Sequence, residues 1–200
     1  MALAARYLES VVEGLQLCPY ARGARLAGGV RLERVGTPHD AAHCAARVAA
    51  LSEDAAVEAI LLVFELAPGD PRREPRAFEA FLRQFQGLHR ASGCAAFYSV
   101  MFHPGIREGT ARTTPESLVQ VIRRAPVPLI QCLRASVMDA VRASAQSEAR
   151  DRLAATTPSG GWTLTDSVLS QAVAQANFAR YGEGAGRREL EDRLDALGTS

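Results

Sequence analysis

Between Ala2 and Leu17 the apolar residues Leu3, Tyr7, Leu8, Val11, Val12 and Leu15 recur at three-to-four spacing, with Arg6, Glu9 and Glu13 interspersed, which predicts an amphipathic helix. Pro19 disfavours helical geometry in the residue before it, so the helix should end near Leu17 or Cys18 and leave the thiol at a helix-to-loop junction. Arg22 to Gly29, rich in Gly and Arg, is expected as a loop. Val30 to Val35 alternates apolar and charged residues and predicts a short strand with one wet face. Thr37 as N-cap, Pro38 at the first helical position and Asp40 in the first turn predict a helix running to about Leu51. Val57 to Phe64, dense in β-branched and apolar residues, predicts a buried central strand.

After the loop around Pro68 to Pro71, Phe78, Phe81, Leu82, Phe85 and Leu88 mark the core face of a helix from about Arg76 to Arg90, with His89 at its polar edge. Cys94 to Phe102 predicts a third strand, and His103-Pro104 lies immediately past its end. Thr114, Pro115 and Glu116 should start a short helix to about Arg123, broken by Pro126 and Pro128, with a further helix from about Leu129 to Arg152. The strand-helix-strand-helix-strand order implies an α/β fold: a small, mainly parallel sheet of about three core strands, covered by helices. The α/β domain should span 1–157. Ser159, Gly160 and Gly161 form a joint to a helical C-terminal extension, 158–200, with helices over about Asp166 to Tyr181 and from about Gly186 to Leu197. Its stripe of Leu164, Val168, Leu169, Ala172, Val173 and Phe178 should pack on the domain or on a second copy in a homodimer.

Composition then narrows the chemistry. All 23 basic residues are arginine, so Schiff-base, pyridoxal phosphate and P-loop mechanisms that need a lysine amine are excluded, and a bound anion must be held by guanidinium. A net charge of +1 spread along the chain gives no electrostatic footprint for nucleic acid. The longest apolar run, Ala59 to Phe64, is far short of a membrane span and the N-terminus has no secretory pattern, so a cytoplasmic protein is expected. Cys18, Cys44, Cys94 and Cys132 form no CxxC pair, and free thiols are the default; all but Cys18 have the apolar or small neighbours of buried cysteines.

Three segments together resemble a bacterial family, the domain of unknown function DUF1415. Its members pair a Gly-Leu-Asn-Leu-Cys-Pro-Phe-Ala motif with a later Phe-His-Pro and an Arg-Ser-Pro-Tyr-Pro segment leading into Leu-His-Leu-Leu-Arg-Glu. Here these read Gly14 to Ala21 with Cys18, Pro19 and Tyr20, then Phe102-His103-Pro104, then Arg124 to Ala135. The resemblance spans about Ala2 to Ala143. It departs at Gln131 and Ala135, where the family motif has His and Glu, so a family activity that uses those groups would be lost or altered here.

The resemblance and the placement of the motifs single out Cys18 and His103. Arg22 and Arg25 follow Cys18 closely and positive charge favours a thiolate, whereas the C-terminal end of a helix opposes one. His103, past a strand end, suits proton transfer. Tyr20, Arg22, Arg107, Arg112, Arg124 and Arg134 are the candidate anion-binding residues, with Arg123 beside them. The expectation is an enzyme acting on a small anionic metabolite, with Cys18 as nucleophile or redox thiol and His103 handling protons. The alternatives are a haem- or metal-binding protein using Cys18 or His103, and a non-catalytic interaction module using the C-terminal helices. His39 and His43 share a helix face but lack a third ligand, and no dinucleotide fingerprint is present.

Overall fold

The computed structural model describes residues 1–36, 40–107, 114–140, 143 and 168–198. The chain begins with α1 (Ala2–Tyr7), continued by a π-helical segment over Leu8–Glu13, then α2 (Ala21–Leu26), β1 (Val30–Val35), α3 (Ala41–Ser52) and β2 (Ala59–Phe64). A 3-10 turn (Pro71–Arg73) leads to α4 (Pro75–Ala91), β3 (Phe97–Phe102), α5 (Pro115–Ile122) and β4 (Leu129–Arg134). Helix α6, described over 135–140, follows directly, and α7 (Val168–Tyr181) and α8 (Gly184–Asp195) close the chain.

The strands lie in the order β1-β2-β4-β3, with β1 parallel to β2 and β4 antiparallel to both its neighbours. The sheet is therefore mixed and four-stranded rather than mainly parallel with about three strands. β1, β2 and β3 do share one direction, as the alternation of strands and helices requires; the extra strand β4 runs against them in the gap between β2 and β3. It occupies residues expected to begin a helix. Leu129, Ile130, Cys132 and Leu133 form a short apolar run that periodicity cannot assign, and Pro126 and Pro128 set an extended approach. A central position, with ladder partners on both sides, decides for strand.

Because side chains alternate across a strand, the sheet divides the core in two. Ile60, Leu62 and Phe64 of β2, with Ile130 and Cys132 of β4, face α3 and α4 through Cys44, Val48, Phe78, Phe81 and Phe85. Leu61, Val63 and Leu129 face the other way, toward Tyr7, Val11, Leu15, Leu118 and Val121. Tyr181, Leu190, Leu194 and Leu197 complete that second layer, so the described part of α7 and α8 packs against the N-terminal helix of the same chain. Phe178 packs there too; Leu164 lies outside the described residues, and Val168, Leu169 and Ala172 are described by their backbone alone.

Three local expectations change. Arg22 to Gly29 is mostly helix α2 rather than loop, ending with Gly28 at φ 76°. Helix α3 is capped by Asp40, whose carboxylate accepts from the His43 amide at 2.8 Å; Thr37 and Pro38 lie outside the described residues. His89 is 4% exposed, stacked on Phe85 and edge-on to Phe97, and not at a polar edge. The predicted start of α5 is observed with a reciprocal box, Thr114 and Ser117 each accepting from the other's backbone amide. Among the described residues no helix is long and apolar enough to cross a membrane.

Candidate functional site

The first helix ends through a wide turn. The Leu17 amide donates to the Val12 carbonyl at 2.9 Å, five residues back, and the Gln16 amide donates to Glu13 at 3.0 Å. Gln16 has φ 54°, the one positive value at a non-glycine among the described residues, and this left-handed step reverses the chain before Cys18-Pro19. A π segment and a left-handed non-glycine residue in one turn are features that concentrate at functional sites. The Cys18 carbonyl then accepts from the Ala21 amide at 3.3 Å as α2 begins.

Distant side chains hold this turn. The Asn177 amide donates to the Leu17 carbonyl at 2.9 Å and the Tyr181 hydroxyl to the Leu15 carbonyl at 2.8 Å, both buried. Arg25 grips Glu13 through two hydrogen bonds of 2.6 and 2.9 Å, so Arg25 is committed to a carboxylate. Beneath the turn the Tyr7 hydroxyl donates to the Ile122 carbonyl, and burial raises its pKa well above that of a free phenol.

Cys18, half-buried, lines two cavities. A cleft of about 520 Å³ lies between the turn and α7, with Gln16, Arg22, Asn177 and Arg180 as its polar lining and Glu13 neutralised by Arg25. An apolar pocket of about 200 Å³ lies under α2, floored by Leu61, Phe102, Leu129, Gln131 and Leu133 and walled by Tyr7, Leu17, Tyr20, Ala21 and Met138. Arg180 also donates to the Gln16 side-chain oxygen at 3.4 Å, and its guanidinium lies over the Tyr181 ring.

His103 stands apart from Cys18. Phe102 reaches the apolar pocket, and the next residue points to the opposite face, where the His103 ring lies 5.5 Å from that of Phe78. His103 is 1% exposed; its Nδ1 accepts from the Gly105 amide at 2.9 Å, which leaves Nε2 to donate to the Arg72 carbonyl at 3.2 Å. Burial lowers its pKa, with the Arg72 carbonyl and Glu74 acting the other way. A side chain at Gly105 would stand 2.7 Å from Pro75, so glycine permits this close seating. The expected meeting of Cys18 and His103 in one pocket does not occur; His103 latches the exit of β3 to the start of α4.

The arginines divide similarly. Among the described residues of the expected anion-binding set, Arg22 alone lines the cleft, and Tyr20 lines the pocket. Arg134 donates to the carbonyls of Val57, Ser52 and Asp54 and clamps the α3-β2 turn. Arg124 pairs with Asp195 at 3.2 Å, Arg107 binds the Pro104 carbonyl at 2.9 Å, and Arg112 lies outside the described residues. Gln16, Asn177 and Arg180 were not anticipated from the sequence. The two from α7 carry no signal of their own, but Gln16 sits where the resembling motif has Asn, a residue suited to a left-handed step.

The three motif segments thus meet at one place: Cys18, Tyr20 and Ala21, then Phe102, then Leu129, Gln131 and Leu133 line the same pocket. A family described as "Protein of unknown function (DUF1415)" matches the chain over residues 2–154. The chain belongs to this family. No curated protein and no solved structure matches it. The DUF1415 match contains the apolar pocket and Cys18, whereas Asn177 and Arg180, which wall the cleft, lie beyond it.

Proposed function

We propose that this protein binds a small amphipathic organic anion across the Cys18 turn and presents the Cys18 thiol to it as a nucleophile. The carrying observation is that Cys18 belongs to the wall of both cavities, one polar and cationic, the other apolar. Arg22 and Arg180 hold the anionic head in the cleft, whose volume falls within the roughly 300–1,000 Å³ of small-molecule sites. The apolar body enters the pocket over Phe102 and Leu129, with Gln131 as a neutral polar group at its floor. Guanidinium suits a carboxylate head because it can pair with both oxygens. Chemistry at this position joins sulfur to an electrophilic carbon of the bound molecule while the leaving group on that carbon departs with the thiol proton.

Octanoate, an anionic head on a short alkyl chain, is the probe. Iodoacetamide alkylation of Cys18, followed by peptide mass spectrometry, should slow several-fold with octanoate and not with octanol or acetate. An R22A/R180A variant should lose that protection while remaining folded. Equal protection by octanol, or protection that survives loss of both arginines, removes the anion-binding reading.

A further inference from the structure

Gln131 stands near the middle of β4, the strand with ladder partners on both sides, opposite Leu61 of β2 and Val100 of β3. Side chains alternate along a strand, so it projects from the same sheet face as Leu129 and Leu133. Those leucines, with Leu61 and Phe102, floor the apolar pocket, and Gln131 lies among them. Its amide is half-buried and makes no hydrogen bond to any described residue. An amide drawn out of water needs compensating hydrogen bonds, and polar groups nearby have them. The Tyr7 hydroxyl in the pocket wall donates to the Ile122 carbonyl, and Ser99, on the other face of the sheet, donates to the Cys132 sulfur at 3.6 Å. The Gln131 amide thus offers both donors and an acceptor to whatever enters the pocket. Glu58, directly before β2, lines the same pocket, so a second negative charge carried into it meets repulsion that the apolar walls strengthen.

We infer that Gln131 is a specificity-determining residue: it selects organic anions that carry a neutral hydrogen-bonding group, a hydroxyl, ketone or amide, on the body that enters the pocket. Plain alkyl anions and dianions are disfavoured. The inference rests on the reading of cleft and pocket as one ligand site. Its physical basis is an asymmetry in what each ligand does to the amide. A plain hydrocarbon chain lying over Gln131 strips water from it and leaves its donors and acceptor unmatched, whereas a hydroxyl or carbonyl replaces the hydrogen bonds that water made. Glu58 sets the second half of the rule, since a carboxylate at the buried end of the ligand would satisfy Gln131 and yet face a like charge.

Titration calorimetry on the full chain compares octanoate, its dicarboxylate counterpart suberate, and a panel of octanoates that each carry one hydroxyl at a different carbon. At least one hydroxy isomer should bind about tenfold tighter than octanoate, and suberate no tighter than octanoate. Q131M keeps the length of the side chain without its amide; with folding checked by circular dichroism, it should bind that isomer no better than octanoate. Octanoate binding as tightly as every hydroxy isomer overturns the inference, as does suberate binding tighter than octanoate, or a hydroxyl preference that persists in folded Q131M. If Q131M does not fold, the ranking in the unaltered protein decides alone. Saturable octanoate binding without a hydroxyl preference removes the role of Gln131 and leaves the ligand site standing, whereas no binding by any member of the panel removes the site and this inference with it.

Discussion

The Asn177 side chain donates a buried 2.9 Å hydrogen bond to the carbonyl of Leu17, the residue directly before Cys18. A helix 160 positions away thereby closes the backbone of the turn that carries the thiol, and places Arg180 one helical turn on at the same cleft. Removing the amide leaves a buried carbonyl without a partner. N177A should therefore lose about 1–3 kcal/mol, or roughly 2–10 °C in melting temperature, and raise amide hydrogen exchange at Cys18. An unchanged melting curve and unchanged exchange would mean the turn holds its shape without α7.

His103 is expected to act in stability rather than in chemistry. H103A removes both ring hydrogen bonds, the one to the Arg72 carbonyl and the one from the Gly105 amide, a loss of about 3 kcal/mol. Octanoate protection of Cys18 should persist in this variant at temperatures where it is folded. Loss of protection without loss of structure would return His103 to the site.

Burial lowers the pKa of both His103 and His89, which fixes the sign of a pH effect. The unfolded chain protonates these imidazoles near pH 6.5, the folded chain only at lower pH. Between the two values the unfolded state binds more protons, so the free energy of unfolding falls as pH drops below about 6.5 and the fall ends below the folded pKa values. Urea titrations from pH 8 to pH 5 should show this decline, with a smaller slope in H103Q. A stability that is flat or rises over that interval would contradict the buried, neutral state of the two rings.

Arg134 binds three carbonyls of the α3-β2 turn and lies over the Phe97 ring at 5.2 Å. R134K keeps the charge but not the fork, so it should cost about 2 kcal/mol, close to the loss in R134A. Full rescue by lysine in a denaturant titration would show that charge alone matters there.

Much of the fold is legible in the residue pattern because burial is coupled to period: the amphipathic Phe78-Phe81-Leu82-Phe85 stripe and the Ala59–Phe64 run are where the sequence predicts them. β4 is not, since Leu129 to Arg134 becomes a strand only through partners 27–37 positions earlier in β3 and 66–74 positions earlier in β2. The site divides along the same line. Cys18 at a helix end follows from Pro19, but the separation of Cys18 from His103 depends on which sheet face each strand residue takes, and that requires the register. Phe102, not its neighbour, reaches the thiol's pocket. Asn177 and Arg180 join the site through long-range packing that no local motif encodes.

Titration calorimetry of octanoate into the full chain tests the central claim most directly. Saturable one-to-one binding in the unaltered protein, retained in C18S and weakened about tenfold or more in R22A/R180A, is the predicted result. Absence of saturable binding, or affinity untouched by loss of the two arginines, would contradict a ligand site that spans the Cys18 turn.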